Sequence, residues 1–83
     1  MQTLVIYDIP DDRLRARIAE ACKDYGLARI QWSAFLGELS QNRREELAQR
    51  CHKTLGRHEG NVQLYPVCDR DMRLSIEVKT KPG

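Results

Sequence analysis

An aspartate closes a strongly apolar stretch near the beginning of the chain, where its carboxylate could take part in chemistry. Asp8 follows the segment "LVIY" and precedes Ile9 and Pro10. A carboxylate beside apolar neighbours is costly to bury unless it is paired or hydrogen-bonded. It could cap a following helix, although Asp11 and Asp12 are better placed for that role. It could also pair with an arginine, or bind Mg²⁺ or Mn²⁺, which prefer oxygen ligands.

A single carboxylate is a poor metal site, so the metal interpretation depends on a second copy of the chain. In a two-fold dimer each subunit contributes the same residue at the axis. Two Asp8 side chains facing each other would repel unless a cation lies between them. The sequence leaves the ion pair and the shared metal as open alternatives.

Three arginines follow at alternate positions and could contact phosphate. At about 100° per residue, Arg15 and Arg17 flank the apolar stripe of a predicted helix, and Arg13 lies on its outer face. Like charges this close repel unless an anion is nearby, although Glu20 and Asp24 offset part of the repulsion. Carboxylate, divalent metal and arginine are the parts used for phosphodiester chemistry. A solvated helix face and a phosphate-binding face both remain open.

Other sets of residues give weaker signals. Cys51, His52 and His58 could suggest zinc, but no fourth ligand follows at a typical spacing. The aromatic residues that could stack on bases are Tyr7, Trp32, Phe35 and Tyr65. Aromatic side chains in strands more often belong to a core or an interface than to a base-binding surface. The chain has no glycine-rich phosphate loop.

The apolar periodicity predicts the elements that position these residues. Residues 3–9 are mostly apolar apart from Asp8 and include β-branched residues, which predicts a strand buried on both faces. A helix is expected within residues 11–26, capped by Asp11 or Asp12 and ended by Gly26. The remaining predicted elements are a strand over 27–40 with a kink or bulge at Gly37, a helix over 41–56 capped by Ser40, a strand over 61–67, a turn at 68–71 and a strand over 72–78.

We expect one α+β domain over residues 1–78, followed by a polar tail at 79–83. The expected fold is ferredoxin-like, βαββαβ: a four-stranded antiparallel sheet with two helices on one face, although the segments predicted above run βαβαββ. The other sheet face then has no helix to cover it, and an uncovered apolar face is a candidate dimer surface. The segment 27–40 would place on that face either Trp32 or Phe35, with its alternate neighbours.

Length and composition add further expectations. A chain of 83 residues has a marginal core, which favours dimerisation. Its three cysteines are odd in number and far apart, which predicts a reduced, cytoplasmic protein rather than a disulfide framework. No signal peptide and no membrane-spanning stretch are expected. Ten of the fourteen cationic residues are arginine, whose planar guanidinium matches phosphate oxygens.

The segments "LVIYDI", "RLRARIAEACKDYGLARIQWSAFLGEL" and "NVQLYPVCDRD", in this order, resemble the Cas2 family of small CRISPR-associated proteins. The most specific part, "YGLARIQWSAFLGEL", is similar to the family pattern Tyr-Gly, then Arg-x-Gln-x-Ser-x-Phe, then Glu-Leu. The resemblance implies a symmetric homodimer in which Asp8 is the catalytic residue and binds one Mg²⁺ or Mn²⁺ shared between the subunits. It implies nucleic-acid contacts by Arg15, Arg17 and Arg29, to which the helix pattern adds Arg13, and motif positions near the site at Tyr7, Ser33 and Phe35.

The resemblance also implies two functions in acquiring CRISPR spacers. One is a metal-dependent endonuclease acting on RNA or double-stranded DNA. The other is a non-catalytic, dimeric DNA-binding adaptor that bridges the subunits of a Cas1-family integrase. Two positions depart from the family pattern: Leu36 stands where many members have an acidic residue, and Pro66 where a basic one is frequent. The first departure weakens the case for a second carboxylate ligand.

Overall fold

The computed structural model describes residues 1–79, which form a four-stranded sheet and three helices. The elements are β1 (Gln2–Asp8), α1 (Asp12–Asp24), β2 (Ala28–Gln31), β3 (Ala34–Glu38), α2 (Gln41–Leu55), β4 (Asn61–Val67) and α3 (Asp69–Leu74). The strand order is β2-β3-β1-β4, and all neighbouring strands are antiparallel. The order βαββαβ of the first six elements confirms the predicted ferredoxin-like α+β fold.

The two long helices cover one face of the sheet. On β1 the side chains alternate, so that Val5 and Tyr7 are buried among the helices while Ile6 and Asp8 are exposed on the other side. The helix side of this core includes Leu14 and Ile18 of α1 and Leu47 and Cys51 of α2. We call the sheet face without helices the uncovered face.

The ends of both long helices follow the predicted signals. The side chain of Asp11 accepts a hydrogen bond from the backbone N–H of Leu14 at 3.0 Å, and Ser40 caps α2 through the N–H of Arg43. Gly26, just beyond α1, has a φ of 81°, which favours glycine. The two N-caps fix where the long helices begin, and Gly26 ends α1 shortly before β2.

The single strand predicted over residues 27–40 is wrong, because this segment folds into a hairpin. Its strands, β2 and β3, are joined by a turn at Trp32 and Ser33, and the carbonyl oxygen of Ser33 accepts the N–H of Tyr7 at 3.0 Å. The irregularity expected at Gly37 lies instead in β2, between Arg29 and Gln31. Neither predicted alternating set therefore runs intact along one face.

The strand predicted over residues 72–78 is also wrong. The segment starts inside α3, a helix capped by the sulfur of Cys68, which accepts the N–H of Asp71 at 3.4 Å. The turn predicted at 68–71 is the beginning of this helix, favoured by acidic residues in its first turn. Residues 75–79 belong to no regular element. Of the predicted polar tail at 79–83, residues 80–83 lie outside the described residues.

None of the helices in the described part of the chain is long and apolar enough to cross a membrane.

Candidate functional site

Asp8 is the last residue of β1 and lies on the uncovered face, with its side chain exposed. Its strand partner is Asn61 at the start of β4. The two residues line a shallow pocket of about 240 Å³ together with Pro10, Glu59 and Gly60. We call this the Asp8 pocket. Within residues 1–79 the carboxylate of Asp8 makes no ion pair, so the structural ion pair considered from the sequence is not formed in one chain.

Glu59 is a second carboxylate at this pocket that the sequence did not reveal. It lies just before β4, far from Asp8 along the chain, and the β1–β4 register brings it close. Gly60 makes this approach possible, because a Cβ there would lie 2.9 Å from Cδ2 of Leu55 and 3.2 Å from Cγ1 of Ile9. A side chain at position 60 would require the Leu55 and Ile9 side chains to move, and glycine lets the loop lie close to β1 without that shift.

The donors of one chain fit a hydrated Mg²⁺ better than an enclosed metal cage. Magnesium usually keeps several waters and is held by one or two carboxylates, and the Asp8 pocket contains Asp8 and Glu59. Among residues 1–79 there is no group of three or more His, Cys, Asp or Glu side chains that could hold a metal. One chain therefore offers two carboxylates for a hydrated ion, and a second copy of the chain would add its own Asp8 to the set.

The zinc alternative has little support from its cysteine. Cys51 is buried in the core of α2, and burial raises the pKa of its thiol to about 11. Burial likewise raises the pKa of the Cys22 thiol to about 12. A thiol in this state is protonated and packs as a small apolar side chain, whereas zinc binds the thiolate.

Apolar side chains on the uncovered face lie beside Asp8. Leu4 of β1 stands directly opposite Leu36 of β3 and Tyr65 of β4, so the three share this face. Ile6 is 40% exposed and Tyr65 is 45% exposed. The strand that carries the carboxylate therefore also carries the apolar surface expected at a dimer interface.

Two of the predicted arginines come together on the opposite side of the sheet. Nη1 of Arg15 donates to the carbonyl oxygen of Ile9 at 3.0 Å, and Nη2 of Arg15 pairs with Asp12. Arg29 donates to the carbonyl oxygen of Trp32. The Cζ atoms of Arg15 and Arg29 lie 5.7 and 6.0 Å from the centroid of the Trp32 ring.

These side chains surround a pocket that we call the Trp32 pocket. It has a volume of about 200 Å³ and is formed by Trp32, Arg29, Tyr7 and, from α1, Asp12 and Arg15. Successive side chains of a strand point to opposite faces, so Tyr7 lies at this pocket while Asp8 lies on the uncovered face. The structure thus separates Asp8 from the arginines predicted to act with it in one chain.

The other two arginines lie elsewhere on α1. Arg17 is exposed and lines a groove between α1 and α2 together with Glu46 and Arg50. Arg13 is exposed near the start of α1. In the part of the chain that the structure describes, neither Arg13 nor Arg17 takes part in an ion pair. Both guanidinium groups are therefore free to meet an external anion.

The three motif residues, Tyr7, Ser33 and Phe35, have structural roles around the hairpin. Tyr7 and Phe35 are 2% and 0% exposed, and their rings are stacked with centroids 6.3 Å apart. The guanidinium of Arg29 covers the Phe35 ring at 4.8 Å. Ser33 is half-buried and holds the hairpin turn against β1 through its carbonyl oxygen. The motif therefore fixes the hairpin that presents Trp32 and Arg29.

Comparison with known proteins agrees with this architecture. The family model described as CRISPR associated protein Cas2 matches residues 1–74, and the chain belongs to this family. The CRISPR-associated endoribonuclease Cas2 of Desulforudis audaxviator is 52% identical over 83 residues, which are 100% of this chain and 78% of that protein. A CRISPR-associated endonuclease Cas1/endonuclease Cas2 fusion of Thermoproteus tenax is 33% identical over 82 residues, 99% of this chain and 31% of the fusion.

A solved structure shows the same fold. The crystal structure of a hypothetical protein from Thermus thermophilus superimposes with a TM-score of 0.78 at 32% sequence identity. The match covers 96% of this chain and 90% of that one. The hairpin and the sheet order described above are thus placed within a known architecture.

Proposed function

We propose that the protein is a Mg²⁺-dependent endonuclease of CRISPR spacer acquisition that acts on RNA or duplex DNA as a two-fold dimer. The observation that carries the proposal is the position of Asp8 on the uncovered face beside exposed apolar side chains. In a two-fold dimer whose axis passes by the Asp8 end of β1, packing of two uncovered faces brings the two Asp8 carboxylates together. The name of the Desulforudis relative, an endoribonuclease, supports the same activity.

Each group of residues has its own task in this proposal. The Asp8 carboxylates, supported by Glu59, hold the cation, and Arg13 and Arg17 of α1 bind phosphates of the substrate backbone. A bound Mg²⁺ supplies charge for the phosphate and lowers the pKa of water. The residues themselves orient the phosphodiester and bring together carboxylates that would otherwise repel each other.

A second candidate function is a DNA-binding adaptor without chemistry of its own. Among residues 1–79, the Asp8 pocket is lined by no histidine, lysine or tyrosine that could donate a proton to a leaving group. The Thermoproteus relative joins Cas1 and Cas2 in one chain, which supports a Cas1-family integrase as the partner of this protein. In this function the dimer binds DNA between integrase subunits, and Asp8 contributes to dimer geometry.

Asp8→Asn tests the endonuclease proposal. The amide keeps the shape of the side chain but removes its charge, so Mg²⁺-dependent cleavage of labelled RNA and duplex DNA should fall to the background rate. Nucleic-acid binding should stay equal or become tighter, because two anions near a polyanion are removed. Glu59→Gln should retain cleavage but raise the Mg²⁺ concentration for half-maximal activity by about tenfold.

Asp69→Asn is the matched control, since it removes an exposed carboxylate from α3, and it should cleave like the unmodified protein. Cleavage that persists in Asp8→Asn would show that the nuclease assignment is wrong. A spacer-integration assay with the Cas1 partner separates the two functions. If integration survives in Asp8→Asn, the adaptor function is supported. If integration is lost while DNA binding is preserved, the chemistry of Asp8 is required for spacer acquisition.

A further inference from the structure

The Trp32 pocket lies on the helix side of the sheet and is not used by the carboxylates of the proposed nuclease. We propose that it binds one unpaired nucleotide of a single-stranded nucleic acid, with the base stacked on Trp32 and the adjoining phosphate on Arg15 and Arg29. This inference rests on the proposal that the protein binds nucleic acid. It adds a subsite and a preference for unpaired bases.

Trp32 is a fixed and accessible stacking surface. Its side chain is 73% exposed at the tip of the β2–β3 hairpin. The backbone on both sides of it is held, because the carbonyl oxygen of Trp32 accepts from Arg29 and that of Ser33 accepts from the N–H of Tyr7. These bonds hold the hairpin tip, and the guanidinium groups of Arg15 and Arg29 lie against the indole ring, which limits the conformational entropy lost when a base stacks on it.

The two guanidinium groups at the pocket are also held in place. Arg15 is fixed by the carbonyl oxygen of Ile9 and by Asp12, and Arg29 by the carbonyl oxygen of Trp32. The pocket is lined by two cationic side chains and one carboxylate, so its net charge is positive. Exposed aromatic rings combined with fixed arginines are the combination that binds single strands, since bases stack and phosphates pair with the arginines.

Tyr7 gives a second, independent indication of a ligand. It lines the Trp32 pocket and is 2% exposed, and its hydroxyl has no hydrogen-bond partner among residues 1–79. A buried hydroxyl without a partner is costly, and such groups call for an explanation. A polar edge of a base entering the pocket can satisfy it, whereas an aliphatic ligand cannot.

The geometry favours an unpaired nucleotide over duplex. Within a duplex both faces of a base are covered by its neighbours, so only an end, a flap or a single strand offers a free face to Trp32. A purely structural role would make Trp32 a cover for the two arginines through cation–π contacts. In that case its removal would affect stability and leave nucleotide binding unchanged.

Tryptophan fluorescence tests the proposal directly, because Trp32 is the sole tryptophan of the chain. Short oligothymidylate should quench its emission. An abasic oligomer of the same length carries the same phosphates and should bind about tenfold more weakly, since each stacked base contributes this order of affinity. Oligouridylate provides the RNA arm of the experiment. Equal quenching by the DNA and RNA oligomers would show that the pocket recognises the base and phosphate rather than the sugar.

Variants, followed by fluorescence anisotropy of labelled oligomers, locate the effect. Trp32→Ala should abolish the preference for thymidylate over the abasic oligomer, and Trp32→Tyr should restore most of it. Tyr7→Phe should weaken thymidylate binding by about fivefold through the lost hydroxyl. Ile30→Ala is the matched control, because Ile30 is also exposed on the hairpin, and it should change nothing. Thermal melting confirms that each variant is folded.

Equal affinity for thymidylate and abasic oligomers would overturn this inference. So would a preference that persists in folded Trp32→Ala. If duplex still binds and is cleaved in an Asp8-dependent manner, the proposed function stands without the subsite. If neither duplex nor single strands bind, both proposals fail together.

Discussion

Asp11 is a residue whose charge should connect the stability of α1 to pH. The hydrogen bond from the backbone N–H of Leu14 lowers the pKa of its carboxyl below the ordinary value of 3.8. A group with a lowered pKa in the folded state stabilises the protein above the unfolded pKa, and this contribution is lost as the pH falls through the folded value. Asp11→Ala should therefore lower the melting temperature by about 5 °C at neutral pH.

The difference between the two proteins should shrink as the pH falls below about 4, because the unmodified side chain is then protonated. Asp11→Asn is the matched control, since the amide oxygen still accepts the Leu14 N–H and should preserve most of the neutral-pH stability. A difference in melting temperature that does not change with pH would mean that the ionised carboxylate has no part in the cap.

The contents of the two pockets show what residue patterns can and cannot predict. The position of Asp8 at the end of the first strand follows from the apolar run before it. Its separation from Arg15 follows only from the strand alternation that places Tyr7 and Asp8 on opposite faces. Glu59 was missed because its proximity comes from the β1–β4 register, which pairs residues more than fifty positions apart.

The strand β3 depends on Gly37, where it passes close to the backbone of the connection between α1 and β2. Gly37 lies opposite Thr3, and a Cβ there would lie 2.7 Å from Cδ2 and 3.1 Å from Cα of Leu27. The side-chain atom can move, but the backbone atom belongs to the connection between α1 and β2. Gly37→Ala should therefore destabilise the protein by about 1–3 kcal/mol through overpacking.

Urea denaturation measures this effect, and Gln49→Ala on the exposed face of α2 provides a control expected within about 0.5 kcal/mol of the unmodified protein. A Gly37→Ala protein as stable as the unmodified one would show that the α1–β2 connection can shift away at no cost.

Two elements were misassigned from the sequence for different physical reasons. The hairpin of β2 and β3 was missed because its turn at Trp32 and Ser33 has no glycine, and no non-glycine residue within 1–79 has a positive φ. The asparagine–glycine signal of primed turns therefore does not apply. Residues 72–78 alternate as a strand does, yet the described chain offers them no strand partner. Their apolar side chains stay exposed, with Ile76 at 88% and Val78 at 86%.

At the scale of the whole molecule, the fold class was predictable although two of the predicted strands were wrong. The helices are marked by strong caps and apolar stripes, and β1 and β4 by apolar runs, so four of the six elements were well determined. The predicted segments have one strand between the helices and two after the second helix, which is the order βαβαββ. In the structure the hairpin places two strands between the helices, and α3 replaces the start of the last predicted strand, so the order of the first six elements is βαββαβ.

The uncovered face leads to a prediction about assembly. Ile6 and Tyr65 are 40% and 45% exposed there, on a chain too small to cover the face itself. We expect a two-fold dimer formed through this face. Ile6→Glu and Tyr65→Glu should each weaken it by about a hundredfold or more, because an unpaired carboxylate would be buried at the interface. Light scattering across a dilution series should then show the 9.6 kDa monomer.

Ala48→Glu introduces the same charge on the exposed face of α2 and should leave the dimer intact. The effect of Mg²⁺ on dimer affinity then tests whether this interface brings the two Asp8 side chains together. If two Asp8 carboxylates face each other across it, Mg²⁺ should tighten the dimer by relieving their repulsion. The Asp8→Asn dimer should be tight without the ion and unaffected by it. A dimer whose affinity ignores Mg²⁺ in both proteins, or a monomer at every concentration, would place Asp8 away from the axis and remove the shared site from the proposed mechanism.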